Sequence, residues 1–274
     1  MNEPGKDDPL AEWAPTGVDA NVPSVARVYD AVLGGKDNFP VDRAIAERML
    51  TVMPGGREGA WDGREFLARG VKAMIDRGIR QFLDLGSGLP TVRNTHEIAQ
   101  ELAPEARVLY VDNDPIVLAH GRALLAENER TTVVTADLGD PQALLASPEA
   151  KEHLDLAEPV GVILLNVIHH VVDDAFAAAT VEAYKEAVAP GSGLLVCHFC
   201  KSDDPELAAL EKVALEALGS GRFRTTEEIG AFFDGWELVE PGVAYMAAWR
   251  PEAPTPDPLP INKRVAAGGL GFKG

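Results

Sequence analysis

Gln81-Phe82-Leu83-Asp84-Leu85-Gly86-Ser87-Gly88 is a short apolar run that stops on two glycines. Its length suits a buried strand. The glycines permit a sharp strand-to-helix turn at which a ligand can approach bare backbone. Leu89-Pro90-Thr91 follow, then a helical pattern through Ile98 and Leu102. The same unit recurs downstream. Strands are predicted at Arg107 to Val111, Thr132 to Thr135, Gly161 to Asn166 and Gly193 to Phe199, each followed by a helix. Such alternation builds a parallel sheet from βαβ units.

Upstream, residues 1–21 are rich in Pro, Gly, Asp and Glu and read as a flexible arm. Residues 22–78 carry helical spacing: Val25, Val28, Tyr29 and Val32, then Ile45, Met49 and Leu50, then Phe66, Leu67, Val71, Met74 and Ile75. This is a helical N-terminal cap, broken at Gly34 to Pro40 and at Pro54-Gly55-Gly56. The core is assigned to residues 79–250. Within it Trp236 to Val239 and Val243 to Trp249, around Glu240-Pro241-Gly242, read as a terminal β-hairpin. Residues 251–274 open with five prolines in ten positions and read as a Pro-rich tail.

Composition narrows the classes. The 274 residues are 46% hydrophobic and 25% charged, as in an ordinary globular chain. No run of about 18 apolar residues offers a membrane span, and the first residues lack the order of a secretory signal. A cytoplasmic protein is expected. Asp plus Glu number 43 against 25 Lys plus Arg, a net charge of −18 that repels nucleic acid and anionic membranes. Cys197 and Cys200 are the two cysteines; their spacing continues a strand, has no second pair, and predicts neither metal site nor disulfide framework.

The predicted strand ends carry the chemistry. Asp112 closes the second strand, where a carboxylate can accept both hydrogen bonds of a ribose diol, so an adenosine-bearing ligand is implied. A dinucleotide wants a third glycine and an open helix N-terminus for its pyrophosphate; here Thr91 stands at that place, after Pro90. Asp84, two residues before the first glycine, would repel a phosphate yet suits the ammonium of a methionine moiety. The charges favour S-adenosylmethionine. Asp137 after the third strand can accept from an adenine amino group while the Leu138 N–H donates. At the fourth strand's end, His169 and His170 are candidates for a base, since imidazole titrates near neutrality.

These residues carry a resemblance. Phe82 to Gly88, Tyr110-Val111-Asp112-Asn113-Asp114-Pro115, Ala136-Asp137 and Ala189-Pro190-Gly191-Ser192-Gly193 resemble the class I S-adenosylmethionine-dependent methyltransferases. More narrowly, Pro23 to Asn38 is similar to an actinobacterial methyltransferase family first catalogued as a domain of unknown function. The likeness leaves out the first twenty residues and the far tail. It implies a Rossmann-like α/β fold: a mostly parallel seven-stranded sheet with an antiparallel last strand, plus the helical cap. It gives Asp84, Gly86 and Gly88, with Ser87 between them, to the methionine end of the cofactor. Asp112 goes to the ribose, Asp137 to the adenine and Asn166 beneath the sulfonium, with Asn113 and Leu138 expected to bind cofactor beside them. No Asn-Pro-Pro-Tyr type motif follows the fourth strand, so a small-molecule acceptor is expected rather than DNA or protein glutamine. Tyr29 and Lys36 of the cap are candidates to enclose it, Tyr29 as a catalytic residue beside His169 and His170. A noncatalytic S-adenosylmethionine sensor and an NAD-linked oxidoreductase stay open as alternatives.

Overall fold

A computed structural model describes residues 18–90, 93–124 and 128–274. Most of the expected arm and Thr91 therefore lie outside the described residues. The cap consists of α1 (Val25–Leu33), α2 (Pro40–Val52) and α3 (Gly56–Asp76). The repeating units follow as β1 (Gln81–Leu85), α4 (Thr95–Leu102), β2 (Arg107–Asp112), α5 (Pro115–Leu124), β3 (Thr131–Thr135), α6 (Pro141–Ala146), α7 (Pro148–His153), β4 (Gly161–Leu165), α8 (Asp174–Ala187) and β5 (Gly193–Phe199). Then come α9 (Pro205–Leu218), α10 (Thr226–Gly230), β6 (Glu237–Leu238), β7 (Ala244–Tyr245) and β8 (Ala266–Phe272). All five strands of the parallel sheet stand where the apolar runs predict them, within a residue or so.

Among the described residues the strands form one sheet in the order β3-β2-β1-β4-β5-β8-β6, with β7 also on β8. β1 to β5 pair in parallel and β8 runs antiparallel to β5. Both faces are covered, as parallel sheets require. Phe82, Val108, Ile163 and Leu195 pack on one side with Phe66, Val71 and Met74 of α3. Leu83, Leu85 and Leu109 pack on the other with Leu144, Ala177 and Tyr184.

Two expectations are corrected at the C-terminal edge. The segments 236–239 and 243–249 do not pair with each other as a hairpin. β6 and β7 lie end to end along β8, Leu238 opposite Gly271 and Ala244 opposite Gly268, as one interrupted edge strand. After β7 the chain turns inward and buries Trp249 edge-on against Phe66 at 5.1 Å between ring centroids. Nor is 251–274 wholly a tail: its end, Ala266-Ala267-Gly268-Gly269-Leu270-Gly271-Phe272, is buried β8, inside the sheet. Three glycines argue against a strand by propensity, but here close packing demands one of them. A Cβ at Gly268 would stand 2.3 Å from the Val196 carbonyl oxygen and 2.8 Å from the Phe66 ring.

Candidate functional site

At the carboxyl edge of β1, β2, β3 and β4 the chain encloses a cavity of about 650 Å³. Asp84, Gly86, Ser87, Gly88, Asp112, Asn113, Asp137, Leu138 and Asn166 all border it. The turn after β1 is stapled to the next strand. Gly86 and Ser87 N–H donate to the Val111 carbonyl at 2.7 and 3.1 Å, and Gly88 N–H donates to Asp112 Oδ2 at 2.8 Å. Both glycines are left-handed, each with φ +66; a Cβ at Gly86 would collide with Val167 at 2.1 Å, whereas the space beside Gly88 is open. With these three amides already bonded inside the protein, and α4 not beginning until Thr95 under an Asn94–Glu97 capping box, the turn offers a pyrophosphate little to bind.

Asp84 is buried, and its Oδ2 accepts from Thr95 Oγ1 at 2.6 Å. Burial pushes its carboxyl up to about 6, against the hydrogen bond from Thr95 and the nearby Arg64 guanidinium. Asp112 is raised too, again by burial first. Its Oδ1 accepts from Asp114 N–H at 3.0 Å, and Asp114 Oδ1 in turn accepts from Ile116 N–H at 2.9 Å. Asp114, not Asp112, therefore caps α5. Asp137 is exposed and makes a tight turn by accepting from Gly139 N–H at 2.8 Å.

α1 closes the cavity from the cap side. Ser24, Ala26, Arg27 and Tyr29 border it. The Ser24 hydroxyl donates to the Asp114 carboxylate across the opening. Fully buried Asp42 of α2 anchors the start of α1, accepting from Ser24 N–H at 3.0 Å, Arg27 Nε at 2.9 Å and Phe39 N–H at 2.9 Å. The motif Gly34 to Asn38 serves the helix end. Gly34 is a left-handed cap, and Asp30 Oδ2 accepts from Asp37 N–H and Asn38 Nδ2 at 2.9 and 2.7 Å. Lys36 is exposed and borders no part of the cavity, so the expectation that it encloses an acceptor fails.

Arg64 escaped the sequence reading. It is buried mid-helix in α3, borders the cavity beside Asp84 and Tyr29, and its Nε has no hydrogen-bond partner. A helical arginine surrounded by polar neighbours in sequence looks solvated; what buries it is the packing of α3 against the sheet. Its guanidinium stands 5.9 Å from the Tyr29 ring centroid. Burial raises the Tyr29 phenol above its ordinary range, opposed by Arg64 and Asn166. Tyr29 is thus a neutral donor at pH 7.

Asn166 has φ 53, a left-handed conformation uncommon outside glycine. Its Oδ1 accepts from Cys197 Sγ at 3.2 Å and its N–H donates to the Cys197 carbonyl at 3.0 Å. Of the two histidines, His170 borders the cavity, its Nδ1 2.7 Å from Ser220 Oγ, while burial pushes it down to about 4. His169 does not border that cavity. It is buried, stacked on Phe199 at 4.2 Å, and burial holds it well below its ordinary value. Both cysteines are free and buried, and among the described residues no cluster of His, Cys, Asp or Glu could hold a metal. Nor, among them, is any helix long and apolar enough to cross a membrane.

A family model described as S-adenosyl methyltransferase matches residues 11–274, further at both ends than the resemblance read from motifs. A candidate methyltransferase from Thermobifida fusca YX, solved at 1.95 Å, is 46% identical over 95% of this chain and 98% of its own, with a TM-score of 0.92. A DUF574 family protein from Streptomyces avermitilis MA-4680 is 37% identical over 93% of this chain and 99% of its own, with a TM-score of 0.88. Human N-acetylserotonin methyltransferase in complex with S-adenosylmethionine shares the fold at 16% identity, with a TM-score of 0.51 over 85% of this chain and 57% of its own. No curated protein matches the chain.

Proposed function

Because the chain belongs to the S-adenosyl methyltransferase family, we propose that its S-adenosylmethionine occupies the strand-end cavity and that its acceptor is a small molecule. The observation that carries the site is the convergence of all nine cofactor residues on one cavity of about 650 Å³. A further fit lies in Arg64, which no motif picks out. Asp84 and Arg64, side by side, match the ammonium and carboxylate of a methionine zwitterion, and the unpartnered Arg64 Nε gains an acceptor there. Asp112 keeps free lone pairs for a ribose diol, and Asp137 with the Leu138 N–H suits an adenine edge. When bound, S-adenosylmethionine supplies an electrophilic methyl on a positively charged sulfur.

The chain's contribution is placement and exclusion of water. Holding a nucleophile in line with the methyl supplies most of what such a transfer needs. Tyr29 and Asn166 stand together at the cavity wall to orient the acceptor atom, and α1, pinned by Asp42 and Asp114, shuts out solvent. Burial leaves His170 neutral at pH 7 but a weaker base than free imidazole, so it takes the acceptor's proton only as the new bond forms and that proton turns acidic; His169, off the cofactor cavity, supports it by packing. The net charge of −18 argues against a nucleic-acid acceptor, and the two free buried cysteines accord with the cytoplasm.

The test incubates the protein with methyl-labelled S-adenosylmethionine and a cell extract. Label should enter the low-mass fraction, with S-adenosylhomocysteine released in equal amount. Label on protein or nucleic acid would overturn the small-molecule acceptor. Cofactor binding with no release of S-adenosylhomocysteine would favour a sensor.

A further inference from the structure

Beside the cofactor cavity lies a smaller one of about 100 Å³, between the cap helices and α9. The two share Val25, Tyr29, Asn166 and His170, which form a window between them. Away from that window the smaller cavity is walled by apolar side chains, including Met49, Met53, Met246, Phe199 and Leu210. Its polar side chains, Tyr29, Asn166, His169 and His170, gather at one end, and no Asp, Glu, Lys or Arg borders it among the described residues. Gly63 of α3 lets the helix approach two of these wall residues: a Cβ there would stand 3.3 Å from Asn166 Nδ2 and 3.6 Å from Met246 Sδ.

Resting on the methyltransferase reading, we propose that this second cavity is the acceptor subsite and that it takes an uncharged, single-ring aromatic alcohol of the phenol class, with its hydroxyl at the window. Four features select that class. Ligand sites for drug-sized molecules run to about 300–1,000 Å³, so a cavity of about 100 Å³ restricts the buried part to one ring. An ionised acceptor would shed its hydration against a wall that holds no countercharge. Thioethers and an aromatic ring make favourable contacts with an aromatic face. A hydroxyl both accepts and donates, which suits the window: the Tyr29 hydroxyl, whose contact with the Ala60 carbonyl is a long 3.5 Å, can turn to donate, and Asn166 Oδ1 is already taken by Cys197, leaving Nδ2 to donate. In the tautomer with the proton on His170 Nδ1, which then donates to Ser220 Oγ, Nε2 is left to accept.

In the transfer, the phenolic oxygen forms the new O–CH3 bond as the S–CH3 bond breaks. That bond's electron pair stays on sulfur, giving the thioether of S-adenosylhomocysteine. The hydroxyl proton passes to His170 Nε2 and on to water.

The experiment titrates the full chain with phenol, benzoate and benzylamine in the presence of saturating S-adenosylhomocysteine, by calorimetry or ligand-observed NMR. Phenol should bind at least about tenfold more tightly than either ion. Leu210 borders the smaller cavity and not the larger one, so Leu210→Phe fills the first and leaves the second untouched. It should lose phenol affinity by about tenfold or more while S-adenosylhomocysteine affinity stays within about twofold. Leu210→Ala, the opposite change, should admit 2-naphthol, which the wild type rejects, and so keeps the test open if the filled variant does not fold. Equal binding of benzoate or benzylamine, no phenol binding, or unchanged phenol affinity in Leu210→Phe would overturn the proposal while S-adenosylhomocysteine still binds. If the wild type failed to bind S-adenosylhomocysteine, the cofactor reading beneath the proposal would fall with it.

Discussion

Replacing Asp112 with alanine separates a ribose ligand from a loop staple. Both carboxylate oxygens already accept from backbone, from Gly88 at 2.8 Å and from Asp114 at 3.0 Å, and each retains lone-pair capacity toward the cavity. A charge-assisted hydrogen bond contributes about 1.5–3 kcal/mol, so Asp112→Ala should weaken S-adenosylhomocysteine binding roughly ten- to a hundredfold. The same change removes two hydrogen bonds inside the protein, at about 1 kcal/mol each. Relief of the buried carboxylate offsets part of that loss, since burial raises its pKa. The variant should stay folded and melt a few degrees lower, at about 2–4 °C per kcal/mol for a chain of this size. Asp112→Asn retains an acceptor and should lose less than about tenfold in affinity. Isothermal titration of both variants, beside thermal melts, gives the answer. Wild-type affinity in Asp112→Ala together with a lower melting temperature would refute the ribose assignment and leave Asp112 as a staple for the Gly88 turn.

Arg64→Met should weaken S-adenosylhomocysteine by about tenfold or more while changing the free protein's melting temperature little, because losing a buried charge whose Nε has no partner is offset by leaving the Asp84 carboxylate without the guanidinium beside it; a calorimetric titration and a melt suffice. Asp84 predicts a pH dependence. Its folded pKa of about 6 stands above the unfolded value of 3.8, so the folded state binds the extra proton and stability falls as pH rises from about 4 to 6. Asp84→Asn should therefore raise the cofactor-free melting temperature at pH 7 but not at pH 4, and wild-type affinity for S-adenosylhomocysteine should fall as pH drops below about 6, where the carboxylate protonates. Asp42→Ala leaves Arg27 buried without its countercharge and should cost about 3–5 kcal/mol in denaturant unfolding.

The parallel half of the fold was legible because each strand is a short apolar run followed by a helical pattern, and burial on both faces of the sheet enforces such runs. β8 was hidden because its run of small residues reads as a tail, whereas Gly268 serves close packing against Val196 and Phe66, a demand made by neighbours distant in sequence. The hairpin misreading has the same root: two short segments seemed to need each other because their common partner was mistaken for a tail. In the site, the acidic strand ends were readable since position along a strand fixes which edge they reach. Arg64 was not, because its burial depends on how α3 lies across the sheet. His169 and His170, adjacent in sequence, were read alike, yet the short helical turn after β4 sends one ring onto Phe199 and the other to the window.

A crystal structure of the full chain with S-adenosylhomocysteine tests the arrangement most directly. The ribose diol should lie on Asp112, the amino-acid end between Asp84 and Arg64, and the sulfur should face the window of Tyr29, Asn166 and His170. A sulfur turned away from that window, or an amino-acid end out of reach of Arg64, would contradict it.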